Sequence, residues 1–273
     1  MQGRLSPPVD GKIQAFPWHH WEEEFQIAAE DSFEIMEWTL DQERLYENPL
    51  MSATGRARIK KLMSQHGIKI PSLTGDCFMQ APFYKSPAER DSLLNDLKNI
   101  LAACGDLTIR IVVIPLLDNG KLENVIQEKD VIETLRHLTN TLRELKIKIS
   151  FESECEPEKL ASFIEQFDES CFGINYDIGN SASYGYKPDE EISAYGHRII
   201  NVHVKDRLLG GTTVPLGQGN ADFPAAFQAL SRIDYKGNYI LQAARAQDSD
   251  HAGALLHYRN QVTEWLATTT EKS

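Results

Sequence analysis

The feature that most constrains this chain is a regular alternation of short apolar runs with longer amphipathic ones, sustained from one end to the other. The strand-like runs are QGRLS (2–6), SFEIMEW (32–38), IKIPSLT (68–74), TIRIVVIPL (108–116), IKISFES (147–153), CFGINYD (171–177), IINVHVK (199–205) and NYILQA (238–243). Several are β-branched and apolar on both faces, as strands covered from both sides must be. Between them lie helical stripes. SPAERDSLLNDLKNILAAC offers Ser86 and Pro87 as an N-cap and first helical residue, then Leu93, Leu94, Leu97 and Ile100 on one face. DVIETLRHLTNTLREL repeats Ile132, Leu135, Leu138, Leu142 and Leu145. EPEKLASFIEQF, DFPAAFQALSRI and LLHYRNQVTEWLA follow the same pattern. Eight strands alternating with helices predict a closed (β/α)8 barrel more readily than two open sheets. With no low-complexity linker or shift in composition, residues 1–273 are expected to form one such domain.

Composition narrows the function. The formal charge of −12 argues against a protein that grips nucleic acid by its phosphates, and no segment approaches eighteen uncharged apolar residues. Cys77, Cys104, Cys155 and Cys171 lack CxxC spacing and predict reduced thiols. The start, MQGRLSPP, lacks a positive n-region followed by an apolar stretch, so no export signal is expected. A soluble cytoplasmic protein acting on a small molecule is expected, without nucleic acid or membrane as partner.

In a barrel of this kind the reactive groups project from the C-terminal ends of the strands. There the sequence places Arg4, Glu37, Asp76, Glu152 with Glu154, Asn175 with Asp177, Asn180, then Asn201, His203 and Lys205, and finally Gln242. So many polar groups at one mouth call for an ion or an ionic ligand. Glu152, Asp177, His203 and Gln242 come one each from four successive strands. Two carboxylates, an imidazole and a carboxamide oxygen suit a divalent ion such as Mn²⁺, Mg²⁺ or Co²⁺, with Zn²⁺ also admissible.

NYDIGNSASYGY, NVHVKDR, VPLGQGNADFPAAFQAL and YKGNYILQAAR resemble the xylose isomerase-like TIM-barrel superfamily, in its sugar-phosphate isomerase/epimerase branch, which includes hexulose-6-phosphate 3-epimerases and tagatose 3-epimerase-type enzymes. The resemblance runs through most of the chain and is strongest from Glu152 to Arg245. It implies that a Glu, an Asp, a His and a second Glu bind one divalent ion. Glu152, Asp177 and His203 match the first three, and the fourth falls on Gln242. It also implies that the two glutamates move protons on opposite faces of the substrate carbon.

An amide cannot accept that proton at ordinary pH. The departure at Gln242 therefore favours one-base chemistry: isomerisation through an enediol, with Glu152 as ligand and base and Glu154 or Lys205 as supporting acid or base. Epimerisation stays open if Glu154, Glu37 or Asp76 reaches the opposite face. The glycine-rich DRLLGGTTVPLGQG, with Arg207 and Arg245 nearby, suggests a phosphate cradle, and Arg4 is a candidate for a substrate carboxylate. PWHHWEEEF gathers Trp18, His19, His20 and Trp21, as sugar-stacking rings, a helix staple or a subunit contact. Competing readings are a metal-dependent dehydratase or lyase on a polyol or keto acid, and a non-catalytic sugar-binding barrel. An endonuclease IV-like enzyme is disfavoured by the acidic charge and the single convincing ligand histidine. Barrels of this type commonly pair, which leaves a homodimer open.

Overall fold

The apolar runs form seven parallel strands: β1 (Ile35–Leu40), β2 (Lys69–Gly75), β3 (Ile111–Leu116), β4 (Lys148–Ser153), β5 (Phe172–Asp177), β6 (Ile199–Val204) and, after a small hairpin, β9 (Asn238–Leu241). They are paired in the order β1-β2-β3-β4-β5-β6-β9, a nearly closed barrel with helices between the strands. The hairpin β7 (Asp206–Arg207) and β8 (Thr213–Val214) lies within the glycine-rich segment, where the sequence predicts only a loop. The computed structural model describes residues 4–12 and 14–270 (backbone only at 269 and 270). Of the strand expected over 2–6, residues 2 and 3, including Gln2, lie outside the described residues. Residues 4–6 are buried but join no ladder.

Arginine side chains close the seam instead. Arg4 donates to the carbonyl of Ala243, just past β9, and Arg245 Nη1 donates to the carbonyl of Ser6 at 2.5 Å. Such charge-assisted bonds do between the first and last segments what a ladder does between strands.

β3 is apolar on both faces, as expected, whereas in β1, β2, β4, β5 and β6 the inner face turns polar. Outward positions Met36, Trp38 and Leu40, Val112 and Ile114, Ile149 and Phe151, and Val202 and Val204 pack into one core against the helices. Phe151 packs edge-on against Phe163, tilted against Phe167 and stacked on Phe172, at ring separations of 5.2, 5.1 and 6.2 Å. The inner positions, two residues apart, are Ser72 and Thr74, Ser150 and Glu152, Asn175 and Asp177, and Asn201 and His203, all buried. Register brings Glu37 beside Ser72, Asn175 beside Asn201, and Asp177 beside His203. A lumen of this polarity must satisfy itself internally or hold a ligand.

Two boundary differences matter for the site. β1 runs on to Leu40, so Glu37 lies mid-strand and Asp41 takes the mouth position. The helix expected to start at Ser86 begins at Arg90, because residues 86–89 are spent in turns. Among the described residues no helix is long and apolar enough to cross a membrane, and all four cysteines are free.

Candidate metal and sugar site

Glu152, Asp177 and His203, all buried, each present an atom within 4.8 Å of the others at the C-terminal ends of β4, β5 and β6. This group could hold a metal ion. Each side chain is fixed by partners the fold supplies. Glu152 Oε2 accepts from Asn175 Nδ2 and its Oε1 from Asn180 Nδ2, both at 2.7 Å. Asp177 ends β5 and opens α1 (Ile178–Tyr184), where its Oδ1 caps the helix by accepting from the Asn180 backbone N–H at 2.9 Å. His203 Nε2 lies 2.8 Å from Glu37 Oε1. A carboxylate only accepts, so Nε2 carries the proton and Nδ1 faces Glu152 and Asp177, at 3.1 and 3.9 Å.

Three atoms at this centre are buried without an acceptable hydrogen bond: His203 Nδ1, Asp177 Oδ2 and Gln242 Oε1. Lys205 Nζ stands 2.9 Å from Asp177 Oδ2, as an ion pair. Gln242 Oε1, a buried acceptor left without a partner, carries a desolvation cost that a cation would relieve. A donor set of carboxylate, imidazole and carboxamide is the kind that holds a hard or borderline divalent ion, so the residues present fit such a group.

The electrostatics follow from these contacts. Burial disfavours the charged form of Glu37, yet the His203 imidazolium and hydrogen bonds from His203, Ser72 and Thr74 outweigh it and hold the carboxyl at about 2. Burial likewise disfavours the His203 cation, but Glu37 and Glu152 raise it to about 10. Asp76 differs. Burial and the neighbouring Asp41 charge push its carboxyl up to about 7, against a hydrogen bond from Gln14.

The remaining expected residues separate into two sets. Asp76, Glu152, Asn180, Lys205, Arg207 and Gln242 line one cavity of about 380 Å³, which Lys12, Gln14 and Asp41 also line. Glu37 sits below it and serves His203, accepting also from Ser72 and Thr74, both at 2.6 Å, and from Asn201 at 3.2 Å. The Glu154 carboxylate is taken up by Lys121 and the Tyr184 hydroxyl. Arg4 and Arg245 belong to the seam, and Arg4 Nη2 also donates to Gln14 Oε1 at 3.1 Å. Arg207 donates to the Gly211 carbonyl and, at 2.9 Å, to Asn180 Oδ1. The glycine-rich loop binds an anion, but an internal one: Asp206 accepts from the backbone of Gly217, Gly219 and Ala221 at 2.8, 2.8 and 3.1 Å.

Gln14 and Asp41 were not singled out from the sequence. Gln14 lies on a segment with no strand or helix pattern to place it; Asp41 was hidden by the strand boundary set at residue 38. Of the aromatic cluster, Trp18, His19 and His20 line an adjoining cavity of about 490 Å³, with Arg44 4.0 Å above the Trp18 ring. Trp21 packs inward on Trp38 and Phe25.

Comparison with known proteins agrees with this architecture. Residues 25–261 match the model of the family described as xylose isomerase-like TIM barrel. The L-ribulose-5-phosphate 3-epimerase UlaE of Shigella boydii serotype 18 is 24% identical over 263 residues, covering 90% of each chain. Two solved structures share the fold. The IOLI protein with a zinc atom has a TM-score of 0.74 at 16% identity, over 91% of this chain and 93% of that one. The D-allulose 3-epimerase of Methylomonas sp., in complex with D-allulose, has a TM-score of 0.68 at 16% identity, over 88% and 90%.

Proposed function

The chain belongs to the xylose isomerase-like TIM-barrel family, and from that premise we propose that it is a sugar isomerase or epimerase, acting on a ketose or ketose phosphate by proton transfer next to the carbonyl. Glu152, Asp177, His203 and Gln242 would hold one divalent ion, Mn²⁺, Mg²⁺, Co²⁺ or Zn²⁺. When bound, it would supply Lewis-acid polarisation of the substrate carbonyl and hydroxyl. The observation that carries this reading is the convergence of buried Glu152, Asp177 and His203 atoms within 4.8 Å of one another at the mouth of the barrel, with Gln242 Oε1 buried and without a hydrogen bond in the cavity that Glu152 lines.

The chain's own groups divide the remaining work. Glu152 is the base that takes the proton from the carbon beside the carbonyl. Asn175 and Asn180 hold its two oxygens, and Arg207 acts through Asn180 as a positioning residue. Lys205 brings a positive charge to the cavity, where negative charge develops on oxygen. Glu154, tied to Lys121 and Tyr184, shapes the rim. Asp76 is left as a carboxyl group facing the sugar. The relatives point to ketose substrates, one of them a phosphate. The loop amides that Asp206 already occupies are not offered to that phosphate.

The test combines metal analysis with a substrate panel. Protein purified without chelator should carry about one divalent ion per chain, and Asp177→Asn should lose it. D-allulose, D-tagatose, D-fructose and L-ribulose 5-phosphate, followed by NMR, should show at least one metal-dependent conversion. A fully loaded protein that converts none of them would refute the activity.

A further inference from the structure

The proposed activity needs a proton donor once Glu152 has taken a proton, and Gln242 cannot be one. Other acidic groups near the site are committed elsewhere. Glu37 serves His203, Ser72, Thr74 and Asn201; Glu154 serves Lys121 and Tyr184; Asp177 caps α1 and pairs with Lys205. Asp41 accepts from Gln80 Nε2 at 2.9 Å and from the Phe16 backbone. Asp41 and the exposed Asp118 line the same cavity; Asp76 differs from both in being buried, 6% exposed, and from Asp41 in accepting at one oxygen, from Gln14 Nε2 at 2.7 Å.

Asp76 is held in the same manner as Glu152. Arg207 donates to Asn180 Oδ1, whose Nδ2 donates to Glu152. Arg4 donates to Gln14 Oε1, whose Nε2 donates to Asp76. In both relays the arginine fixes which end of the amide is the carbonyl, so the NH₂ faces the carboxyl group. The two groups come from strands separated by β3 alone, Glu152 from β4 and Asp76 from the end of β2. Asp76 follows β2, whereas the four proposed ligands come from β4, β5, β6 and the end of β9.

We propose that Asp76 is a second catalytic residue, exchanging a proton with the face of the substrate carbon opposite Glu152, and that the reaction is accordingly an epimerisation beside the carbonyl. This rests on the activity proposed above. Glu152 carboxylate takes the C–H proton, and the C–H electron pair forms the C=C bond of an enediolate while the carbonyl π pair moves to oxygen. Asp76, in its carboxylic acid form, then delivers its proton to the other face, the C=C pair forms the new C–H bond, and the carbonyl returns. The enzyme ends with Glu152 protonated and Asp76 ionised, and exchange with water restores the start. A carboxyl group held near neutrality suits this alternation.

The experiment uses metal-loaded protein in D₂O with the ketose of the panel that the wild type converts. In a single turnover the epimer should carry one solvent deuteron at the inverted carbon. Asp76→Asn should lose epimer formation by about 100-fold or more, while Glu152 still exchanges the hydrogen of recovered substrate. Glu152→Gln should lose both. Metal content and urea midpoint check that Asp76→Asn is folded. Should it fail to fold, Asp76→Glu, which keeps the carboxyl group, must still give deuterated epimer. Epimer formation by Asp76→Asn within about threefold of wild type, or equal loss of exchange and epimer, overturns the assignment. A wild type that neither exchanges nor converts any panel sugar overturns the activity itself, before any variant is made.

Discussion

Neighbours fix the roles of the two ring nitrogens of His203. Glu37 accepts from Nε2, leaving Nδ1 toward Glu152 and Asp177. Glu37→Gln keeps size and an acceptor oxygen but removes the charge, and should weaken metal affinity by about 10- to 100-fold in a calorimetric titration. The same pair sets a pH signature in metal-free protein. A His203 pKa raised from 6.5 to about 10 gives stability that is complete below 6.5 and lost as pH rises through 10. Glu37, lowered from 4.5 to about 2, gives stability that is lost as pH falls through 2. Asp76, raised from 3.8 to about 7, adds a loss of its own as pH rises from 3.8 to 7. The melting temperature of metal-free wild type should therefore fall between pH 6.5 and 10, and Glu37→Gln should flatten that fall. An equally steep fall in the variant would remove His203 and Glu37 as its source.

At the scale of elements, the first turn of α1 joins capping to the site. Asp177 spends one oxygen on the helix and turns the other toward Lys205 and His203. Gly179 in that turn lies against the end of β6. A Cβ there would stand 2.7 Å from Lys205 Cγ and 2.8 Å from its Cβ and its backbone carbonyl carbon. The backbone atom cannot swing aside, so Gly179→Ala should cost about 1–3 kcal/mol in urea unfolding and weaken metal binding by displacing Lys205. An unchanged midpoint with unchanged metal affinity would show that the contact relaxes freely. The loop that follows the β7–β8 hairpin teaches a related lesson. Its glycines look like a cradle for an external phosphate, but Asp206, fully buried, fills it with three backbone hydrogen bonds.

At the scale of the whole molecule, the barrel is closed by side chains. Arg4 is 2% exposed and bridges the Ala243 carbonyl and Gln14. Arg4→Ala should lower stability by about 1.5–3 kcal/mol, the range for hydrogen bonds to a charged group, read as a lower urea midpoint with unchanged slope. Retained wild-type stability would mean that the seam closes without it.

The alternating apolar runs were enough to imply the barrel. The two-residue period of a strand put Glu152, Asp177 and His203 at neighbouring strand ends, because that period is a local property of the backbone. The identity of each group's partner is not local. Glu37 reads like any acidic group near the end of a strand, and only a closed barrel brings it to His203, 166 positions away. Gln14 and Asp76, 62 positions apart, meet for the same reason. Sequence determined which chemical groups this barrel carries at its mouth; the tertiary structure decided which are already hydrogen-bonded to one another and which still face the cavity. The reason is physical: side-chain direction follows from adjacent residues, whereas pairing and desolvation depend on distances that closure of the whole chain sets.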